Sequence, residues 1–206
     1  MTQRIDSALE VLRTAAALPP AVFSTSFGAE DMVLLDLILA NGLSVGIFTL
    51  DTGRLHDETY RLMARVEARY GHCVRLYFPR GDAVEALVAR QGVNGFRDSV
   101  DQRKACCQVR KLEPLGRALT GARAWVTGQR ASQSTTRSEL APREFDGERG
   151  VEKFNPLHDW SEADVWDYLR ARDVPYNELH DRHFPSIGCA PCTRAVTAGE
   201  DPRAGR

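Results

Sequence analysis

Polar and apolar positions along this chain fall into two patterns: stretches with a helical period of about 3.6 residues, and short, nearly continuous apolar runs between them. Residues 5–17 (IDSALEVLRTAAA) carry the helical period, and Pro19-Pro20 closes it. AVFSTSFG (21–28) reads as a buried strand running into a turn, followed by a helix over 29–40 that ends at Asn41-Gly42. VGIFTLD (45–51) is a second strand, and a helix from Asp57 to Tyr70 stops at Gly71. HCVRLYF (72–78) is a third strand, with a helix over 82–90 after it. A less regular stretch containing QGVNGFRDS leads to a helix over 101–119, where Pro114 is a candidate kink. AWVTGQR (124–130) is a fourth strand. SEADVWDYLRAR is the last clear helix, with Ser161 as its N-cap.

Strands alternating with helices at a spacing of about 25 residues predict βαβ units and a parallel sheet. The expected class is α/β, a Rossmann-like parallel sheet flanked by helices, in a single domain over residues 1–206. From about Asn155 onward Pro156, Pro175, Pro185 and Pro191 break the pattern, so 155–206 reads as a loop-rich lid or appendage. Parallel sheets hold ligands at the carboxyl ends of their strands. There the chain carries SFGAED, LDTGR and GQR.

Composition narrows the classes. With 206 residues, 43% hydrophobic and 27% charged, the chain is neither disordered nor collagen-like nor a disulfide miniprotein. Its longest apolar run, Met32 to Ala40 broken by Asp36, is far shorter than the ~20 residues of a membrane span. Arg4, Asp6, Glu10 and Arg13 interrupt any signal-peptide core, so a cytoplasmic location is expected. A net charge of −1 argues against a sequence-blind nucleic-acid binder. Of the basic residues only Lys104, Lys111 and Lys153 are lysine. Codon bias explains an arginine excess; so does bidentate binding of phosphate or sulfate. Arg110 and Lys111 follow a cysteine pair by about one helical turn, Arg130 and Arg137 flank the serines of GQRASQSTTR, and Arg203 and Arg206 close the sequence. Together they surround the strand ends and the cysteines, which favours an anion between them.

The five cysteines are Cys73, the adjacent Cys106-Cys107, and Cys189-Ala-Pro-Cys192. Cys73, inside an apolar strand, reads as a buried structural thiol. In a cytosolic chain the other four suit an iron–sulfur cluster or zinc better than disulfides. Zinc has a rival set in His180, His183, Cys189 and Cys192. Adjacent thiolates strain to reach one ion but can each take an iron of a cubane, which puts a cluster ahead; spacing alone leaves zinc open.

Ser24-Thr25-Ser26-Phe27-Gly28-Ala29-Glu30-Asp31 is a strand, a small-residue turn and a helix start. Free N–H groups and hydroxyls there would receive an anionic oxygen. No Gly-Lys-Ser/Thr follows, so it is not a Walker loop. It resembles the phosphate-binding loop of the adenine-nucleotide pyrophosphatases (the alpha-hydrolase-like fold), with Phe27 where those have glycine.

SFGAED, LDTGRLHDETY, KACCQVRKLEPL, WVTGQRASQSTTR, KFNPLHDWSEADVWDYL, VPYNELH, FPSIGCAPCTR and EDPRAGR, in that order, resemble the assimilatory adenosine 5′-phosphosulfate reductases, close to the phosphoadenosine phosphosulfate reductases. The resemblance implies thioredoxin-dependent (or glutaredoxin-dependent) reduction of adenosine 5′-phosphosulfate to sulfite and AMP. It implies a [4Fe–4S] cluster on Cys106, Cys107, Cys189 and Cys192, since the branch using the 3′-phosphorylated substrate generally lacks these cysteines. Lys111 would lie between cluster and substrate. Arg137, Arg203 and Arg206 would hold the phosphosulfate, with Arg130 and Gly128 of the GQR segment beside them. Ser24, Ser26, Phe27 and Gly28, with Asp51, Thr52, Gly53 and Arg54, would seat the nucleotide. Ala131 stands where many relatives have a second basic residue. In the family a cysteine thiolate in a Glu-Cys-Gly-x-His tail attacks the substrate's sulfur. This chain stops at Arg206 before such a segment, so the 206 residues are expected to bind nucleotide without turnover. Alternatives are reduction of the 3′-phosphorylated substrate, an ATP-using relative of the pyrophosphatases, and a metal-stabilised nucleotide-binding module. A homo-oligomer stays open.

Overall fold

Side chains of Ala21–Thr25 (β1) point alternately to two faces: Ala21 and Phe23 enter the main core, and Val22 packs on the opposite side. The computed structural model describes residues 1–133, 140–197, 199–201 and 204–205. Among these, β1 pairs within a six-stranded sheet with β2 (Gly46–Leu50), β3 (Val74–Tyr77), β4 (Ala124–Val126), β5 (Arg143–Asp146) and β6 (Val151–Phe154). The order is β3-β2-β1-β4-β6-β5. Every neighbouring pair is parallel except β5 with β6.

The helices are α1 (Thr2–Ala16), α2 (Ala29–Ala40), α3 (Asp57–Tyr70), α4 (Gly81–Gln91), α5 (Val100–Cys107), α6 (Glu113–Leu119) and α7 (Glu162–Ala171). α1, α2, α3 and α7 build the main core on one face of the sheet, and α6 covers a smaller cluster of Phe48, Ala118 and Leu119 on the other. α2 is apolar around its whole circumference because it is buried on all sides, with Met32, Val33, Leu34, Leu35, Leu37 and Ile38 all inside. Its one interior break, Asp36, accepts hydrogen bonds from Tyr70 (2.8 Å) and Tyr168 (2.7 Å), so a carboxylate ties α2 to α3 and α7. A capping box opens α7: Ser161 Oγ accepts from the Asp164 N–H, and Asp164 accepts from the Ser161 N–H. No helix of the described residues is long and apolar enough to cross a membrane.

The α/β class and the adenine-nucleotide alpha-hydrolase-like layout hold, with four differences in detail. β4 ends at Val126, and residues 127–130 leave the sheet as a loop. Cys73 lies one residue before β3 and is half-buried rather than enclosed, because β3 is the sheet's outer strand. Residues 101–119 are helical, but Gln108–Leu112 forms a π-helical turn before Pro114. Proline lacks an N–H and its ring collides with the carbonyl four residues back, and the wider turn relieves both demands at that point. The β5–β6 hairpin was not expected, since its strands are short and charged (REFD, VEKF) and only β6 buries both its ends.

Candidate active site

The chain runs from β1 to β2 in one direction and returns to place β4 on the other side of β1, so the strand order reverses between β1 and β4. That reversal opens a crevice at the strands' carboxyl ends. A cleft of about 630 Å³ lies there. Ser24, Ser26 and Gly28 line it from the first loop, Thr52 from the second, Gly128, Gln129 and Arg130 from the third, with Lys111 beside them. Ser161, Val165, Trp166, His180 and Pro185 form its far wall.

The first loop is closed on itself. Asp31 Oδ2 accepts from the Ser26 N–H at 2.6 Å and from the Ser26 hydroxyl at 2.8 Å, and the Gly28 N–H also bonds this carboxylate. The Phe27 N–H goes to Thr25 Oγ1 at 3.0 Å. The N–H groups of Ser26, Phe27 and Gly28 are thus taken within the loop, those of Ser26 and Gly28 by the Asp31 carboxylate and that of Phe27 by the Thr25 hydroxyl. Burial pushes the Asp31 carboxyl up to about 6, against the lowering effect of the Ser26 hydrogen bonds. Phe27 adopts the left-handed φ of +59° and sends its ring into the core rather than the cleft.

Arg130 is buried and committed. Its Nε and Nη2 meet Glu30 Oε1 at 2.8 and 2.7 Å, and its Nη1 donates to Ser132 Oγ at 2.5 Å. In the second loop Asp51 accepts from the Gly53 N–H at 2.8 Å and from the Tyr60 hydroxyl at 2.9 Å, so it shapes the turn. Desolvation, then this hydrogen bond, pushes the Tyr60 hydroxyl up to about 12. Gly53 takes a φ of +69°, where a side chain would meet Arg110.

Cys106, Cys107, Cys189 and Cys192, all free, line one small cavity of about 20 Å³ together with Arg54, Phe96, Arg103, Arg110, Pro191 and Lys111. Among the described residues no three His, Cys, Asp or Glu side chains gather closely enough to hold a single metal ion, and this covers the His180/His183 set too. His180 packs edge-on against Trp166, and burial pushes its imidazole pKa down. Four thiols around one cavity offer soft sulfur donors, the donor chemistry of a zinc or iron–sulfur site. Arg54 stacks on Phe96 and Arg110 donates from Nη1 to the Thr52 carbonyl at 2.6 Å. Burial raises the Cys106 thiol pKa, and the guanidinium groups of Arg110 and Arg54 pull it back.

The two cavities share a wall. Lys111 and Cys189 line both, and Thr52 Oγ1 lies 3.2 Å from Cys189 Sγ. The π turn presents Lys111 at this wall, and its ammonium has no hydrogen-bond partner among the described residues. Arg54 therefore faces the cysteines and Thr52 the cleft, while Asp51 and Gly53 border neither. Arg137, Arg203 and Arg206 lie outside the described residues. Asp31 and Gln129 stand in segments the sequence singles out; Asp31 bonds Ser26 in its own loop, and Gln129 accepts from Lys153 in β6.

The sequence profile of the phosphoadenosine phosphosulfate reductase domain matches residues 20–195. An adenosine 5′-phosphosulfate reductase of Allochromatium vinosum is 57% identical over 201 residues, covering 97% of this chain and 78% of the relative. One from Burkholderia cepacia is 56% identical over 184 residues, covering 89% and 74%. Among solved structures, phosphoadenylyl-sulfate reductase from Candida auris, as a phosphate complex, superposes with a TM-score of 0.78 at 32% identity, covering 92% of this chain and 90% of that one. FMN adenylyltransferase from Candida glabrata shares the fold alone, with a TM-score of 0.64 at 17% identity over 93% of this chain and 64% of that one.

Proposed function

The chain belongs to the phosphoadenosine phosphosulfate reductase domain family, and from that premise we propose that it is an oxidoreductase of sulfate assimilation acting on adenosine 5′-phosphosulfate. The observation that carries this reading is the shared wall, with Lys111 and Cys189 lining both the cleft and the cysteine cavity. The nucleotide occupies the cleft at the switch point, and its sulfate end lies toward Lys111. Thiolate and sulfate are both anionic, so their approach needs fixed positive charge. Lys111 supplies it from the cleft side, and Arg54 and Arg110 supply it behind the cysteines.

A cysteine thiolate attacks the substrate's sulfur, AMP leaves, and the enzyme keeps an S-sulfocysteine. A thioredoxin or glutaredoxin dithiol then reduces that bond, releasing sulfite and becoming a disulfide. None of the five cysteines in these 206 residues stands in a Glu-Cys-Gly segment, so the attacking thiolate is assigned to none of them. Cys106, Cys107, Cys189 and Cys192 would hold a [4Fe–4S] cluster, whose charge would tune the field at Lys111. By the family resemblance, Arg137, Arg203 and Arg206 would bind the phosphosulfate. A cytoplasmic location supplies the dithiol.

Substrate without a 3′-phosphate is favoured by the cysteine pattern and by relatives 47–57% identical that are named adenosine 5′-phosphosulfate reductases. Equilibrium binding tests it: adenosine 5′-phosphosulfate should bind at least tenfold tighter than its 3′-phosphorylated form. Equal affinity would leave the wider family's activity only, and no nucleotide binding would overturn the reading.

A further inference from the structure

Two of the polar side chains at the switch point are already engaged. Ser26 gives its N–H and hydroxyl to Asp31, and Arg130 is paired with Glu30. Gln129, between Gly128 and Arg130, is different. Its Oε1 accepts from Lys153 Nζ at 3.2 Å, and Lys153 also reaches Glu144 Oε1 at 2.9 Å. An ammonium only donates, so the carboxamide must turn its oxygen to Lys153 and its NH2 group away. Gln129 lines the cleft and Lys153 does not. The lysine is held in turn by the hairpin: β6 sets it beside Trp125 of β4 and opposite Glu144 of β5. Glu144 also accepts from Asn155 Nδ2 at 3.0 Å, and the wholly buried Asn155 accepts from Thr127 Oγ1 at 2.7 Å. Asn155 thus holds Glu144, Glu144 holds the ammonium, and the ammonium holds the amide oxygen, before any ligand arrives.

Building on the nucleotide-site reading, we infer that the Gln129 carboxamide donates from Nε2 to an anionic oxygen of the nucleotide's 5′ group, with Lys153 as its positioning residue. The unexpected β5–β6 hairpin then has a use: it sets which end of one amide faces the ligand.

The test compares AMP with adenosine by calorimetry on the intact protein, since only AMP carries the 5′ anion. Gln129→Ala should weaken AMP about tenfold and leave adenosine within twofold, the size expected for a lost hydrogen bond to a charged group. Gln129→Glu, of the same shape but without the donor, should do the same or more. Lys153→Met should weaken AMP severalfold by freeing the amide to flip, and Lys153→Arg should restore it. An AMP-to-adenosine affinity ratio unchanged in both Gln129 variants overturns the inference while the nucleotide site stands. Wild-type protein that binds neither ligand overturns both.

Discussion

Asp31 reaches back to Ser26, taking its N–H at 2.6 Å and its hydroxyl at 2.8 Å, and lays its other carboxylate oxygen against the Cα of Gly128. One side chain at the start of α2 thereby bonds the loop after β1 and packs closely on the loop after β4. A Cβ on Gly128 would stand 2.2 Å from Asp31 Oδ1, closer than real Cβ contacts come. The glycine is required by that approach, not by its backbone angles.

Gly128→Ala should therefore displace Asp31 and open the switch point. The expected outcome is a fall in nucleotide affinity of at least tenfold, read by calorimetry, and a loss of about 1–3 kcal/mol in stability, read by urea titration. Wild-type affinity in a folded Gly128→Ala protein would mean the two loops can separate without consequence.

The same carboxylate sets a pH dependence. Asp31 is raised from an ordinary 3.8 to about 6, so the folded state holds its proton more tightly than the unfolded chain does. The resulting stabilisation is full below about pH 4 and is lost as pH rises through about 6. Its size is on the order of 2–3 kcal/mol. Asp31→Asn keeps an acceptor for Ser26 but removes the titration. Its stability relative to wild type should thus rise between pH 4.5 and pH 8, measured as the difference in urea midpoints. A difference that is flat over that range would show that Asp31 does not titrate there.

The pattern of apolar positions carried most of the fold because its signals are local. The bounds of α2 and α3 follow from Gly28 before one and Gly71 after the other, and Ser161 marks the start of α7 through a four-residue capping box. The hairpin was hidden because Arg143, Glu144 and Phe145 face solvent, and an edge strand with exposed charge looks like loop. In the site, residue types pointed to SFGAED, LDTGR and GQR, but not to what each side chain does. Arg130 reads as a free cation until Glu30, a hundred residues earlier, is seen beside it. Ser26 reads as a free donor until Asp31 takes it. The Arg130 pairing is set by the sheet order, which leaves no short-range trace, whereas Ser26 and Asp31 stand five residues apart and meet through the turn between them.

Asp36 offers a test of the core remote from the cleft. Its carboxylate is buried and takes hydroxyl donors from Tyr70 and Tyr168. Desolvation and this shared partner raise the pKa of both tyrosines, which therefore stay neutral donors. Tyr168→Phe deletes one hydroxyl and leaves the carboxylate short of a partner. That should cost about 1–3 kcal/mol in urea unfolding with nucleotide affinity unchanged. A variant as stable as wild type would show that Tyr70 alone satisfies Asp36.

The cysteine cavity yields the most direct chemical measurement. If Cys106, Cys107, Cys189 and Cys192 hold a cubane, protein purified without oxygen should contain about four irons and four acid-labile sulfides per chain. One zinc without sulfide would point instead to a metal-stabilised binding module. Cys192→Ser should lower iron and sulfide together, and Cys73→Ser should leave both unchanged, since Cys73 lies before β3 and does not line the cavity. Lys111→Ala separates the two cavities: it should leave iron content intact while weakening adenosine 5′-phosphosulfate about tenfold or more, because its ammonium faces the cleft without an internal partner among the described residues. Loss of iron in that variant would assign Lys111 to the cluster's support rather than to the substrate's charge.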